Sequence, residues 1–151
     1  MKYEPSCLEI FLTRLSFSLC GKSVYQAFAN RLPLDGGEQV LDFGCGMGTV
    51  AYYVAKRLPQ GHLTCLDVSP RWLNVCRKTL CSYGNVTIQQ SESLMLADES
   101  FDVAYCHCVL HDISESDLKV VIAGLAKALK PGGVLVFREP LNESDKLRAI
   151  K

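Results

Sequence analysis

The stretch Val40-Leu41-Asp42-Phe43-Gly44-Cys45-Gly46-Met47-Gly48-Thr49-Val50-Ala51 constrains this chain more than any other, because it runs from a strand into a glycine-rich turn and on into a helix. Val40, Leu41 and Phe43 have the β-branched, apolar and aromatic character of a strand covered on both faces. Gly44, Gly46 and Gly48 recur at every second position, where missing side chains permit a tight turn and let a ligand reach the main chain. Val50, Ala51, Val54, Ala55 and Leu58 then form one helical stripe, and that helix directs its free N–H groups and positive dipole end at the same point.

The remaining segments arrange themselves around this unit. Ser6 and Glu9 form a capping box for a helix over about Ser6 to Leu19, with Leu8, Phe11, Leu12, Leu15 and Leu19 on one stripe. Gly21 and Lys22 break it, and Val24, Tyr25, Phe28 and Leu32 mark a second helix ending before Pro33. His62 to Leu66 reads as the second strand, closed by Asp67. Ser69 then caps a helix with Pro70 in its first turn and Trp72, Leu73, Cys76 and Leu80 inward. Val86 to Gln89 is a third strand and Phe101 to Cys106 a fourth. Ser114 caps a last helix with Leu118, Val121, Ile122, Leu125 and Leu129 on its stripe, and Pro131-Gly132-Gly133 turns the chain into a fifth strand, Val134 to Phe137.

Strands alternating with helices predict an α/β fold: an open, doubly wound, mostly parallel sheet with helices on both faces and N-terminal helices ahead of it. We divide the chain into an N-terminal helical cap, 1–36, and an α/β core, 37–151. In such sheets ligands bind beyond the carboxyl ends of the strands, near the point where strand order reverses. The residues to examine are therefore Asp42 to Gly48, Asp67, Gln90 to Glu92, Cys106 to His111 and Arg138 to Pro140.

Sixteen basic side chains balance sixteen acidic ones, so no bulk charge favours nucleic acid or an anionic membrane. Lys2 is offset by Glu4, so Met1 to Pro5 do not read as the basic start of a signal peptide, Glu9 and Arg14 interrupt the apolar run behind them, and no stretch approaches the roughly 20 apolar residues of a spanning helix. A cytoplasmic protein is expected. Eight cysteines occur without a C-x-x-C pair, and Cys65 and Cys76 occupy apolar slots, which reads as reduced core filler.

The turn does not follow the dinucleotide fingerprint G-x-G-x-x-G, because Thr49 stands where the third glycine belongs. The pattern is D-x-G-x-G-x-G instead. With Leu66-Asp67-Val68-Ser69-Pro70, Asp98-Glu99-Ser100-Phe101-Asp102-Val103 and Leu129-Lys130-Pro131-Gly132-Gly133 following in order, the chain resembles the class I S-adenosylmethionine-dependent methyltransferases over Glu38 to Glu139. The resemblance implies that Asp42, Gly44, Cys45, Gly46 and Gly48 form the cofactor turn. It implies that Asp67 takes the ribose hydroxyls, a role suited to a two-oxygen acceptor, and that Val68 lies against adenine. Gln90 and Ser91 stand where relatives often carry Asp-Ala; the Gln90 amide oxygen can still accept from the adenine amino group and the Ser91 N–H can donate to the ring. Trp72 either faces adenine or fills the core.

By the same resemblance Cys106 and His107 lie beside the methionine end of S-adenosylmethionine. The sulfonium is already an activated methyl donor, so holding a small-molecule acceptor in line is the main catalytic contribution. Where the acceptor arrives protonated, His107, His111, Asp112 and Glu139 are candidate bases, with His111 preferred. Cys106-His107-Cys108 with His111 does not gather ligands at one centre on an extended strand, and no metal is expected. A non-catalytic cofactor-binding or interaction domain on the same fold is the alternative to a methyltransferase. The family fold continues beyond a fifth strand, so Val134 to Phe137 is expected as an exposed apolar edge. An incomplete chain, a homodimer through that edge, or a domain that binds without turnover each accounts for this.

Overall fold

A computed structural model describes residues 4–18, 22–90 and 96–140. Five strands, β1 (Gln39–Phe43), β2 (His62–Asp67), β3 (Val86–Gln90), β4 (Phe101–His107) and β5 (Leu129–Arg138), form one sheet in the order β3-β2-β1-β4-β5. Every pairing is parallel. The helices are α1 (Cys7–Ser16), α2 (Lys22–Arg31), α3 (Ala51–Ala55), α4 (Pro70–Thr79) and α5 (Glu115–Ala128). The α/β class and the helices preceding the sheet are as expected from the sequence, and the strand order reverses between β1 and β4.

Alternation along the strands divides the core between the two faces. Val40, Leu63, Cys65, Val103 and Tyr105 pack with Phe28, Ala29 and Leu32 of the α2 region, Val54 of α3 and Leu73 of α4. Leu41, Leu66, Ala104 and Cys106 pack on the other face with Leu110 and with Leu118 and Leu125 of α5. Asn85 joins the first layer to the sheet by donating its amide to the carbonyls of Ala55 and Leu58 at 3.0 and 2.8 Å.

Several expectations are corrected. The helix after the glycine turn runs regularly only over Ala51–Ala55, because a hydrogen-bonded turn in which Gly48 N–H reaches the Cys45 carbonyl occupies the residues before it. Lys22, expected in the break between the two helices, lies in α2. Leu129 belongs to β5 and not to α5: the proline at 131 disfavours continued helix, and Glu99 and Ser100 N–H groups take up the carbonyls of Lys127 and Ala128. Pro131-Gly132-Gly133 is thereby a register shift inside a longer strand, with Leu129 opposite Phe101 and Val134 opposite Val103. Trp72 is half-buried, outside both core clusters. The α1 stripe is not buried either: Leu8, Phe11, Leu12 and Leu15 are all exposed. Leu19 and Gly21 lie outside the described residues. Among the described residues no helix is long and apolar enough to cross a membrane.

Candidate active site

The turn after β1 is fastened to the end of β2. The N–H groups of Gly44 and Cys45 both donate to the Leu66 carbonyl, at 2.8 and 2.9 Å. One residue further, the Gly46 N–H donates to Asp67 Oδ2 at 2.8 Å, while Asp67 Oδ1 accepts the Ser69 N–H at 2.9 Å. Each carboxylate oxygen carries a second lone pair beyond these bonds. Burial pushes the Asp67 carboxyl above its ordinary value against the pull of the two N–H donors. Ser69 Oγ caps α4 through the Trp72 N–H at 3.1 Å, which fixes where β2 ends and α4 begins.

Gly44, Gly46 and Gly48 all have positive φ, of 76°, 52° and 79°. At Gly44 an added Cβ would fall inside the Val109 side chain, and at Gly48 it would meet Cys76 Sγ at 3.0 Å. At Gly46 it would meet nothing within 4 Å. The turn is thus closed on its sheet and helix sides and open at its middle glycine, where a ligand can approach the main chain.

Around this opening stand other residues singled out in the sequence. Val68 is an exposed apolar side chain directly after Asp67. Gln90, at the end of β3, donates its amide N–H to the Val68 carbonyl at 3.1 Å, which turns its amide group towards the same strand ends. Ser91 lies outside the described residues. Asp42 sits below the turn, fully enclosed, with Oδ2 accepting the Tyr105 hydroxyl at 2.8 Å. Burial pushes the carboxyl of Asp42 well up, the Tyr105 bond opposing it, and the phenol of Tyr105 is pushed up in turn. Cys45 points inward from the turn, where its Sγ lies 3.9 Å from that of Cys76.

A second group of residues stands across the switch point, at the ends of β4 and β5. His107 packs against two aromatic rings of α2, with centroids 5.1 Å from Tyr25 and 5.0 Å from Phe28. Its Nε2 lies 3.3 Å from Arg138 Nη1. Burial and the Arg138 charge hold His107 below the ordinary imidazole value, so the neutral ring accepts from Arg138 through Nε2. His107, Arg138, Tyr25 and Val24 line a cleft of ≈ 420 Å³ together with Glu139. The Glu139 side chain is nearly fully enclosed: Oε1 accepts the N–H groups of Val109 and Leu110 at 3.0 and 2.9 Å, and Oε2 meets His111 Nδ1 at 2.6 Å. Glu139 therefore fixes the β4 exit loop and the His111 ring at once. His111 Nε2 is 3.5 Å from Asp112 Oδ1.

Cys106 is buried while Cys108 is exposed, and the two with His107 and His111 form no ligand cluster among the described residues. The sequence alone assigns no role to Tyr25, Arg138 or Tyr105. Arg138 was legible only as a strand-end position, and Tyr25 only as one member of a helical stripe.

Residues 40–133 match the model of the methyltransferase domain. The demethylmenaquinone methyltransferase of Tropheryma whipplei is 32% identical over 115 residues, 76% of this chain and 46% of that protein. Among solved structures, an S-adenosylmethionine-dependent methyltransferase from Mesorhizobium loti superposes with a TM-score of 0.63 at 28% identity, covering 76% of this chain and 50% of that one. The [4+2]-cyclase SpnF gives 0.67 at 31% identity, covering 77% and 44%. The chain spans roughly a quarter to a half of the length of the curated relatives it matches.

Proposed function

Because the chain belongs to the class I S-adenosylmethionine-dependent methyltransferase family, we propose that it binds that cofactor at the Gly44–Gly48 turn and transfers its methyl group to a small-molecule acceptor. The observation that carries this reading is the turn itself: three glycines at positive φ, open at Gly46 and held by Asp67. These residues fit the cofactor, since the main chain is accessible where a polar ligand needs N–H donors and a carboxylate stands at the adjoining strand end.

In this reading Gly44, Cys45, Gly46 and Gly48 line the cofactor turn, Asp67 accepts from the ribose hydroxyls and Val68 packs on adenine. Gln90, with Ser91, reads the adenine edge, while Asp42 supports the turn from below and His107 borders the methionine end. The bound cofactor supplies a methyl group on a sulfonium, already activated for in-line displacement. The chain's own residues then have two tasks. The cleft between α2 and the ends of β4 and β5 holds the acceptor, with Tyr25 offering a ring face and Arg138 a cation. His111 removes the acceptor proton, its ring oriented by Glu139 Oε2 at 2.6 Å from Nδ1.

Residues 1–36 serve as a helical cap beside the acceptor cleft, the protein acts in the cytoplasm, and nucleic acid is not the acceptor. Two chains pair along β5, an edge strand among the described residues, on which Val134 and Phe137 are exposed. A second reading, a domain that binds the cofactor without methyl transfer, is favoured by the likeness to a cyclase. Incubation with methyl-labelled S-adenosylmethionine and a panel of phenol, quinol and amine acceptors separates the two. Label transfer that falls at least tenfold in His111→Asn supports the methyltransferase; cofactor binding with no label on any acceptor supports the second reading.

A further inference from the structure

Beneath the cofactor turn three thiols from three separate elements converge. Cys45 comes from the turn after β1, Cys65 from the middle of β2 and Cys76 from the inner face of α4. Their sulfur atoms all lie within 4.8 Å of one another, with Cys45 and Cys76 3.9 Å apart. All three residues are buried and unbridged. Neither Cys65 nor Cys76 has a part in the proposed methyl transfer. We propose that these three thiols form a closed site for a soft thiophilic cation, with monovalent copper the ion that fits it best.

The donor set selects the ion. Three sulfurs and no oxygen or nitrogen exclude hard cations and favour the soft end of the series. Zinc held by cysteine normally completes a tetrahedron, and among the described residues no fourth His, Cys, Asp or Glu joins the cluster. An ion content with three sulfurs is required, and monovalent copper is such an ion. A metal–sulfur bond of about 2.3 Å in a trigonal plane sets sulfurs about 4 Å apart, so the cluster needs only a slight contraction to close.

On binding, three sulfur–copper bonds form and the thiol protons pass to the buffer. Copper remains monovalent and no sulfur is oxidised. The location has a consequence for the cofactor site. Cys45 lies between Gly44 and Gly46, and Cys76 Sγ is the atom that a Cβ added at Gly48 would meet first, at 3.0 Å. An ion at the cluster therefore ties the turn to α4 and β2 and stabilises the folded chain by mass action. The competing account is that the three thiols are small apolar filler.

The reduced, metal-free protein is titrated anaerobically with monovalent copper in the presence of a chromophoric copper(I) chelator, and copper X-ray absorption is recorded on the product. We expect one copper retained per chain, three sulfur neighbours and a raised melting temperature. Cys65→Ala and Cys76→Ala each weaken retention at least 100-fold and abolish the rise in melting temperature, whereas C7S/C81S/C108S, which removes three exposed thiols, retains copper like the parent. Copper surrendered to the chelator by the parent protein, oxygen or nitrogen in the copper shell, or retention lost in C7S/C81S/C108S overturns the proposal. The copper shell of the parent protein decides the matter even if a core alanine variant fails to fold.

Discussion

Asp67 Oδ2 accepts the Gly46 N–H at 2.8 Å, so the carboxylate closing β2 holds the middle glycine of a turn that begins at the end of β1. The side chain expected to meet the ribose is also a strut of the turn that would cradle the rest of the cofactor. Asp67 is pinned from the other side by the Ser69 N–H, and Ser69 caps α4. Turn, strand end and helix start are therefore one hydrogen-bonded unit.

Gly44 is the position of that unit least able to accept a side chain. Its φ of 76° is unfavourable for any L-residue, and an added Cβ falls inside Val109. Gly44→Ala is expected to cost about 2–4 kcal/mol, combining a left-handed backbone with overpacking. Urea unfolding measures it, and adding Val109→Ala recovers part of the loss by relieving the second contribution.

Arg57 fastens α2 to the helix-bearing side of the core. Its guanidinium donates to the carbonyls of Leu32 and Leu34 at 3.1 and 3.0 Å and to that of Ala29. Arg57→Ala leaves three part-buried carbonyls without this donor, and a loss of about 2 kcal/mol is expected. Arg57→Lys restores less than half of it, because an ammonium lacks the fork that reaches several acceptors at once. Thermal melts of the three proteins check the order.

Asp102 accepts both the Lys130 ammonium at 2.7 Å and the Gln39 N–H at 2.8 Å, and these hold its carboxyl below the ordinary value, Lys130 first. A depressed folded value means that the contribution is present above the unfolded value of about 3.9 and is lost as pH falls through the folded one. Both side chains are more than a third exposed, so the ion pair contributes less than about 1 kcal/mol. Melting temperatures of Asp102→Asn and the parent should differ at pH 6 and converge below pH 3.

In the proposed reaction Glu139 orients His111, its Oε2 lying 2.6 Å from His111 Nδ1. Glu139→Gln is expected to leave cofactor affinity within twofold, to lower kcat by tenfold or more, and to shift the pH profile of kcat, since the amide no longer fixes the imidazole tautomer as an anion does. A fall in cofactor affinity with kcat and its pH profile unchanged would show a merely structural role.

The parts of the fold that were legible in the sequence are those governed by local chemistry. Ser69 with Pro70, and Ser114, are cap signals whose physics acts within a few residues, and α4 and α5 begin where they place them. The misread parts depend on distant partners. Pro131 disfavours continued helix locally, but the pairing of Leu129 with Phe101 depends on a strand 28 residues earlier in the chain. Nothing in the α1 stripe reveals that Phe11 and Leu12 stay exposed, because periodicity reports a face and not what covers it. The strand-end rule found the neighbourhoods of Asp67, His107 and Glu139. It did not find that Glu139 spans three partners, or that Cys45, Cys65 and Cys76 meet, since both are facts of three-dimensional convergence.

Calorimetric titration of the purified chain with S-adenosylmethionine, with NAD as a control and with Asp67→Ala alongside, tests the central claim most directly. The account predicts micromolar affinity for S-adenosylmethionine, none for NAD, and a loss of at least tenfold in the variant, about 1.4 kcal/mol. Absence of S-adenosylmethionine binding in the parent chain, or equal binding by Asp67→Ala, would contradict it.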